Sequence, residues 1–141
     1  MNLIELKQEQ FQALRSKYMN VYIAGEGEKT IVILSGFGIQ SPVLEYKALA
    51  DRLSENNYRV VVLEYFGYGF SSKTDSERTN ENIAREIKQG LEMAGINGPY
   101  VLMPHSISNL YASMVLLSVS LKTNISVLYF IYNFILGIAI I

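Results

Sequence analysis

Three short apolar runs, separated by two amphipathic segments, most strongly constrain the fold of this chain. The runs are Thr30–Leu34, Tyr58–Leu63 with Arg59 as its one charged residue, and Tyr100–Met103. The first is almost continuously β-branched, as expected for a strand that is buried on both faces. Strands that alternate with helices form a parallel sheet flanked by those helices. The predicted fold class is therefore α/β.

Capping residues and apolar spacing place the two intervening helices. Ser41 is a suitable N-cap, and Pro42 suits the first helical position. That helix is predicted to end at Asn56-Asn57. The second helix is predicted to end at Gly95. Its apolar stripe consists of Ile83, Ile87, Leu91 and Ala94.

The N-terminal region carries weaker patterns. Leu3–Tyr18 has apolar residues on one face and predicts an amphipathic helix that lies outside the main sheet. Met19–Ile23 predicts a strand, and the glycines that follow it predict a hairpin connection to Thr30–Leu34. The expected architecture is thus a mostly parallel sheet preceded by an antiparallel hairpin.

Composition excludes several functional classes. The chain has 141 residues, which is one domain, and a formal net charge of −1, which gives no electrostatic basis for binding nucleic acid. It contains no cysteine and one histidine, so disulfides, thiolate sites and histidine-cluster metal sites are excluded. No cofactor is predicted. Met1–Arg15 is mixed polar and charged, and it does not resemble a secretory signal.

The C-terminal segment Ile125–Ile141 is apolar, and no charged residue follows Lys122. Its length is at the lower limit for a membrane-spanning helix, about 17 residues. Three interpretations stay open: the product of a shifted reading frame or truncated gene, a membrane anchor, or a buried final strand. The expected organisation is an N-terminal segment 1–18, a core 19–117 and an apolar tail 118–141. The chain would be cytoplasmic if the tail packs and membrane-associated if it inserts.

The turn between the strand Tyr100–Met103 and a helix that starts near Asn109 contains His-Ser-Ile-Ser. A serine on such a turn is presented at the carboxyl edge of the sheet, where a helix N-terminus favours developing negative charge. This geometry is a nucleophile elbow with Ser106 as the nucleophile. The positions two residues away, normally glycine, are Pro104 and Ser108. On these residues alone, an ordinary turn with a serine N-cap is an equal alternative.

Three unusual loops follow the predicted strands: Ser35–Gly38, Glu64–Ser72 and His105–Ser108. In a parallel sheet they lie at one edge, where binding sites form. Acyl transfer needs a nucleophile and two N–H groups directed at the oxyanion. Ile107 can donate one, and Phe37, flanked by Gly36 and Gly38, can donate the other. The alternative is that these glycines only make a tight turn.

The three motifs, in this order and spacing, resemble the N-terminal half of an α/β-hydrolase. The similarity is strongest to bacterial members that carry Pro-His-Ser-x-Ser in place of Gly-x-Ser-x-Gly, and it covers about Tyr18 to Leu117. It implies a serine nucleophile at Ser106, which would hydrolyse an ester or similar acyl substrate. It further implies that Phe37 and Ile107 form the oxyanion hole. Loop-shaping roles are implied for Gly36, Gly38, Gly67, Gly69, Ser71 and Ser108.

The chain departs from the family pattern after the nucleophile. In the family an acid and a histidine follow the serine, yet no Asp, Glu or His follows Ser106 here. His105 is adjacent to the serine and is expected to pack rather than act as the base. The triad is incomplete in this chain, so activity is expected to be very weak or lost. The resemblance also implies a structural role for Glu64.

Two other functional classes remain open. Gly36, Gly38 and Ser41 imitate a dinucleotide-binding loop, with Glu64 as the ribose acceptor, although the third glycine is missing. Alternatively, the chain is a non-enzyme that binds a membrane or a partner through Ile125–Ile141. A half-domain would leave a sheet edge unpaired, so self-association is expected.

Overall fold

The computed structural model describes residues 2–5 and 17–120 of the chain. These residues form a five-stranded mixed sheet with helices on both faces, in the strand order β1-β2-β4-β3-β5. The strands are β1 (Asn2–Glu5), β2 (Tyr18–Ala24), β3 (Lys29–Leu34), β4 (Tyr58–Leu63) and β5 (Tyr100–Pro104), and the helices are α1 (Pro42–Ser54), α2 (Asn80–Met93) and α3 (Ser108–Ser120).

The predicted α/β fold class is confirmed. Strand β3 pairs in parallel with β4 on one side and with β5 on the other. The antiparallel part precedes them, because β2 runs antiparallel to both β1 and β4. The hairpin predicted from the sequence would pair β2 directly with β3. That prediction is wrong, because β4 lies between them. Apolar patterning identifies strands but does not select their partners.

The N-terminal prediction was also wrong where the structure describes it. Asn2–Glu5 is a strand, paired with β2 from Asn2 opposite Val21 to Glu5 opposite Tyr18. It is therefore part of the sheet and not a helix outside it. A four-residue strand is too short to show a period, and edge pairing decides its conformation.

Two hydrophobic layers explain why the central strands are apolar throughout. Val32 and Leu34 of β3 face a cluster with residues of α2 and α3, whereas Ile33 faces a cluster with residues of α1. Alternate side chains of one strand thus enter opposite layers. The buried residues Val60–Leu63 of β4 divide in the same way.

The helix termini follow the predicted capping residues. Ser41 caps α1 by accepting a hydrogen bond from the Leu44 N–H, and Pro42 is the first helical residue. Asn57 and Gly95, close after α1 and α2, have φ angles of 64° and 74°. The left-handed conformation at both positions stops the helix. Helix α3 runs from Ser108 to Ser120.

Within residues 2–5 and 17–120, no helix has the length and apolar character needed to cross a bilayer. The segment Ile125–Ile141, to which the membrane prediction referred, lies outside the described residues, so that prediction stays open.

Candidate functional site

Ser106 lies on a sharp turn between β5 and α3. The His105 N–H donates to the Leu34 carbonyl at 2.9 Å and continues the sheet by one residue, and α3 begins at Ser108. The φ angle of Ser106 is 55°, a left-handed conformation that is uncommon for serine. The residue is exposed. Backbone strain of this kind at an exposed serine is typical of a nucleophile elbow.

The loop after β3 lies directly against this turn. A Cβ placed on Gly36 would be 3.3 Å from the Ser106 Cβ and 2.9 Å from the His105 Nδ1. Glycine is therefore the residue that lets the loop approach this closely. The next residue, Phe37, is 84% exposed, and Gly38 has a φ of 80° with open space around it.

The two amides proposed for the oxyanion hole are free in the described part of the chain. Neither the Phe37 N–H nor the Ile107 N–H donates to any backbone or side-chain acceptor there. Both residues are exposed. Phe37 lies in the loop after β3, and Ile107 lies in the turn that carries Ser106. Acyl transfer requires free amides directed at the oxyanion, and that role of these two amides stays a prediction.

Ser108, which occupies a position that is normally glycine, is fully buried. Its hydroxyl donates to the Ser35 carbonyl and contacts the Tyr65 hydroxyl at 2.9 Å. Burial raises the pKa of Tyr65, although its hydrogen bonds to Ser108 and Ser35 act in the opposite direction. Tyr65 therefore stays protonated and can donate to Ser108. This network joins the ends of β3, β4 and β5 beneath the turn.

We expect Ser108→Ala to lower the free energy of unfolding by about 1–2 kcal/mol, because the buried Ser35 carbonyl loses its close donor. Ser118→Ala, which removes a partly buried hydroxyl bonded within α3, is the control and should cost less. Urea unfolding followed by circular dichroism measures both. Equal losses would contradict a special role for the Ser108 network.

Glu64 is fully buried at the end of β4 and accepts four hydrogen bonds. Its Oε1 accepts from the Ser41 hydroxyl at 2.7 Å and the Val43 N–H at 3.1 Å. Its Oε2 accepts from the Asn20 Nδ2 at 2.9 Å and the Phe70 N–H at 2.6 Å. The carboxylate thus joins β2, the N-terminus of α1 and the loop after β4. This agrees with the structural role that the resemblance implies, and it leaves no exposed oxygen for the ribose of a dinucleotide.

The loop that begins at Glu64 folds around this carboxylate. Ser71 Oγ donates to the Glu64 carbonyl at 2.6 Å and accepts from the Asn20 N–H at 2.8 Å. Gly67 and Gly69 both have positive φ angles, and the backbone of Gly69 packs directly on the Glu64 carboxylate. These contacts fix the path of the loop beside the site.

A cleft of about 490 Å³ opens between this loop, Phe37 and α3. Half of its ten lining residues are aromatic, and Tyr65 stacks edge-on with both Tyr68 and Tyr111. Its polar side includes Arg78, whose charge is balanced by a hydrogen-bonded pair with Glu86 at 2.8 Å. The lining residues are Phe37, Tyr65, Phe66, Gly67, Tyr68, Lys73, Thr74, Arg78, Ile83 and Tyr111. Among the described residues, no cluster of three His, Asp or Glu side chains could hold a metal ion.

Sequence reasoning missed one contact of the site. The hydroxyl of Tyr46, in α1, forms a hydrogen bond with the His105 Nδ1 at 2.8 Å. In the sequence Tyr46 belongs to an apolar helical stripe, and 59 residues separate it from His105. No local pattern could reveal this pair.

The comparisons with known proteins agree with this architecture. No family model matches the chain. The Bacillus subtilis (strain 168) protein with the name "Uncharacterized protein YbdG" is 38% identical over 96 residues, which are 68% of this chain and 29% of that protein. The chain thus spans less than a third of the length of this relative.

Solved structures show the same arrangement of strands and helices. The epoxide hydrolase VrEH1 from Vigna radiata matches 82% of this chain and 34% of its own with a TM-score of 0.65 and 21% identity. The esterase from Exiguobacterium antarcticum matches 82% of this chain and 39% of its own, with a TM-score of 0.63 and 20% sequence identity. A thioesterase domain from the curacin biosynthetic pathway matches 86% of this chain and 43% of its own, with a TM-score of 0.65 and 21% sequence identity. The described part of this chain therefore has a partial α/β-hydrolase fold.

Proposed function

We propose that this chain carries the nucleophile half of a serine hydrolase that acts on an ester or similar acyl substrate. The observation that carries the proposal is the exposed Ser106 at a φ of 55°, directly against the glycine loop of Gly36 and Phe37. The hydrolase fold of the structural neighbours supports it. A serine in this position favours acyl transfer over epoxide opening, for which enzymes of this fold usually use aspartate.

The proposed step is nucleophilic attack on a carbonyl. Ser106 Oγ forms a bond to the carbonyl carbon, the carbonyl oxygen becomes an oxyanion, and the N–H groups of Phe37 and Ile107 donate to it. Collapse breaks the bond to the leaving group, which departs with a proton, and leaves an acyl-serine. Water then hydrolyses the acyl-serine to the acid and restores the hydroxyl.

Removal of the proton from the Ser106 hydroxyl limits the rate of this chemistry in the chain as given. No Asp, Glu or His follows Ser106 in the sequence, so the usual acid and base of the family have no counterpart there. The proton must pass to water or hydroxide. Hydrolases that lose their triad retain about 10³–10⁴-fold acceleration over water from positioning and the oxyanion hole. We expect activity of that residual order.

The cleft beside Phe37 supports an apolar or aromatic acyl group as the substrate portion. Its aromatic walls would exclude water from such a group, and Phe37 borders both the cleft and the proposed oxyanion hole. The paired Arg78 and Glu86 contribute little net charge there, and Lys73 adds one positive charge to the lining.

A fluorophosphonate probe tests the nucleophile directly. Attack of Ser106 Oγ on phosphorus releases fluoride and adds the phosphonyl mass to one residue, which peptide mass spectrometry locates. We expect slow labelling of the full chain at Ser106 and none in Ser106→Ala. Ser76→Ala, at an exposed loop position, should label like the original chain. Labelling that survives in Ser106→Ala, or no labelling of the original chain, would contradict the proposal.

A further inference from the structure

Tyr46 and His105 bring together three parts of the structure that belong to different segments of the sequence. Tyr46 lies in α1, and its hydroxyl is 2.8 Å from the Nδ1 of His105, the residue before the candidate nucleophile. The two rings also stack edge-on, at 6.3 Å between centroids and an interplanar angle of 76°. Helix α1 is therefore connected directly to the turn that carries Ser106.

The loop after β3 contacts the same imidazole. A Cβ on Gly36 would be 2.9 Å from the His105 Nδ1 and 3.2 Å from its Cε1, so the loop packs on the ring that Tyr46 holds. Burial raises the pKa of Tyr46, as does the negative charge of Glu45.

The hydrogen bond couples the hydroxyl to the tautomer of the histidine. If the Tyr46 hydroxyl donates to Nδ1, the neutral imidazole of His105 carries its proton on Nε2, and if Nδ1 carries the proton, the hydroxyl accepts it. In both cases the imidazole is held between α1 and the loop after β3.

We infer that Tyr46 is a positioning residue, which holds the Gly36–Phe37 loop against the turn of Ser106 through His105. The inference rests on the proposed function, because the contact matters only if the Phe37 N–H donates to the oxyanion. Loop and turn are already so close that a Cβ on Gly36 would press on His105 and Ser106. Oxyanion donors act over about 2.7–3.1 Å, so a loop that moves away loses most of its effect.

The test replaces Tyr46 with phenylalanine in the full chain and measures the second-order rate of fluorophosphonate labelling at Ser106. Without the hydroxyl the loop is no longer tied to the turn, and we expect labelling to slow about tenfold, less than the loss of a whole oxyanion donor. The matched control is Tyr22→Phe, since the Tyr22 hydroxyl also joins the sheet to α1, through Asp51 at 2.5 Å. The control should label within about twofold of the original chain, the scatter expected away from the site.

A spectroscopic measurement separates the contact from the reaction. His105 is the single histidine of the chain, so its ring nitrogens give one set of ¹⁵N signals. We expect Tyr46→Phe to shift the Nδ1 signal, whereas Tyr22→Phe leaves it in place. An unchanged Nδ1 signal in Tyr46→Phe would overturn the inference whatever the labelling shows.

A double-variant cycle tests whether Tyr46 and His105 act through the same contact. His105→Ala should slow labelling as much as Tyr46→Phe, and the double variant should be no slower than either, because each change breaks the same link. Additive losses, or unchanged labelling in a folded Tyr46→Phe, would overturn the inference and leave the proposed function in place. If the original chain does not label at Ser106, the proposed function fails, and the inference that rests on it fails too.

Discussion

Replacing Glu64 with alanine is expected to lower the free energy of unfolding by about 4 kcal/mol or more. The change removes the shared acceptor of four donors, of which those on Asn20 and Val43 are buried and those on Ser41 and Phe70 are partly buried. Each stranded donor costs about 1–3 kcal/mol, and a cavity remains beside them. Because domains of this size are stable by about 5–15 kcal/mol, a loss of this size takes a large share of the total stability. Urea unfolding followed by circular dichroism measures the loss.

Two further variants show whether the loss comes from the hydrogen bonds. Glu64→Gln keeps the shape but turns one oxygen into a donor that faces other donors, so it should cost about half as much as alanine. Glu28→Ala removes an exposed glutamate and should cost less than about 0.5 kcal/mol. A Glu64→Ala variant as stable as Glu28→Ala would contradict the role assigned to the buried carboxylate.

Gly69→Ala is expected to cost about 3 kcal/mol. The φ angle of Gly69 is 49°, which costs an alanine about 1–2 kcal/mol. In addition, its Cβ would overlap the Glu64 carboxylate, so either the loop or the four hydrogen bonds must shift. Thermal and urea unfolding of the full chain measure the effect.

Gly67→Ala provides the matched control in the same loop. Gly67 also has a positive φ, 88°, but a Cβ there would meet nothing within 4 Å. It should lose only the conformational part, about 1–2 kcal/mol. Equal losses in the two variants would show that contact with Glu64 is not what makes glycine necessary at position 69.

The main features of the site could be predicted because each depends on local sequence. Ser106 was expected on a nucleophile-elbow turn between a strand and a helix, and its φ of 55° agrees with that expectation. The capping of α1 by Ser41 and the stop at Gly95 were likewise visible in a few neighbouring residues. Short-range steric rules suffice for such features.

The features that were missed depend on which distant segments meet. Strand β2 was predicted to pair with β3, although β4 lies between them in the sheet. Apolar alternation identifies a strand but carries no information on which strand pairs with it. The partners of Glu64 come from β2, α1 and the following loop, and that of His105 from α1. A tyrosine in an apolar helical stripe looks the same whether its hydroxyl reaches water or a partly buried imidazole.

Strand β5, which carries the turn of Ser106, pairs only with β3 among the described residues. The His105 N–H points toward β3, so by the two-residue period those of Val101 and Met103 do as well. Pro104 then falls on the outward side, where its missing donor costs no bond to β3. A polypeptide that adds to this edge would find amide donors at Tyr100 and Leu102 and none at Pro104. Strand addition from outside would thus favour the start of β5 and leave the end next to the serine clear.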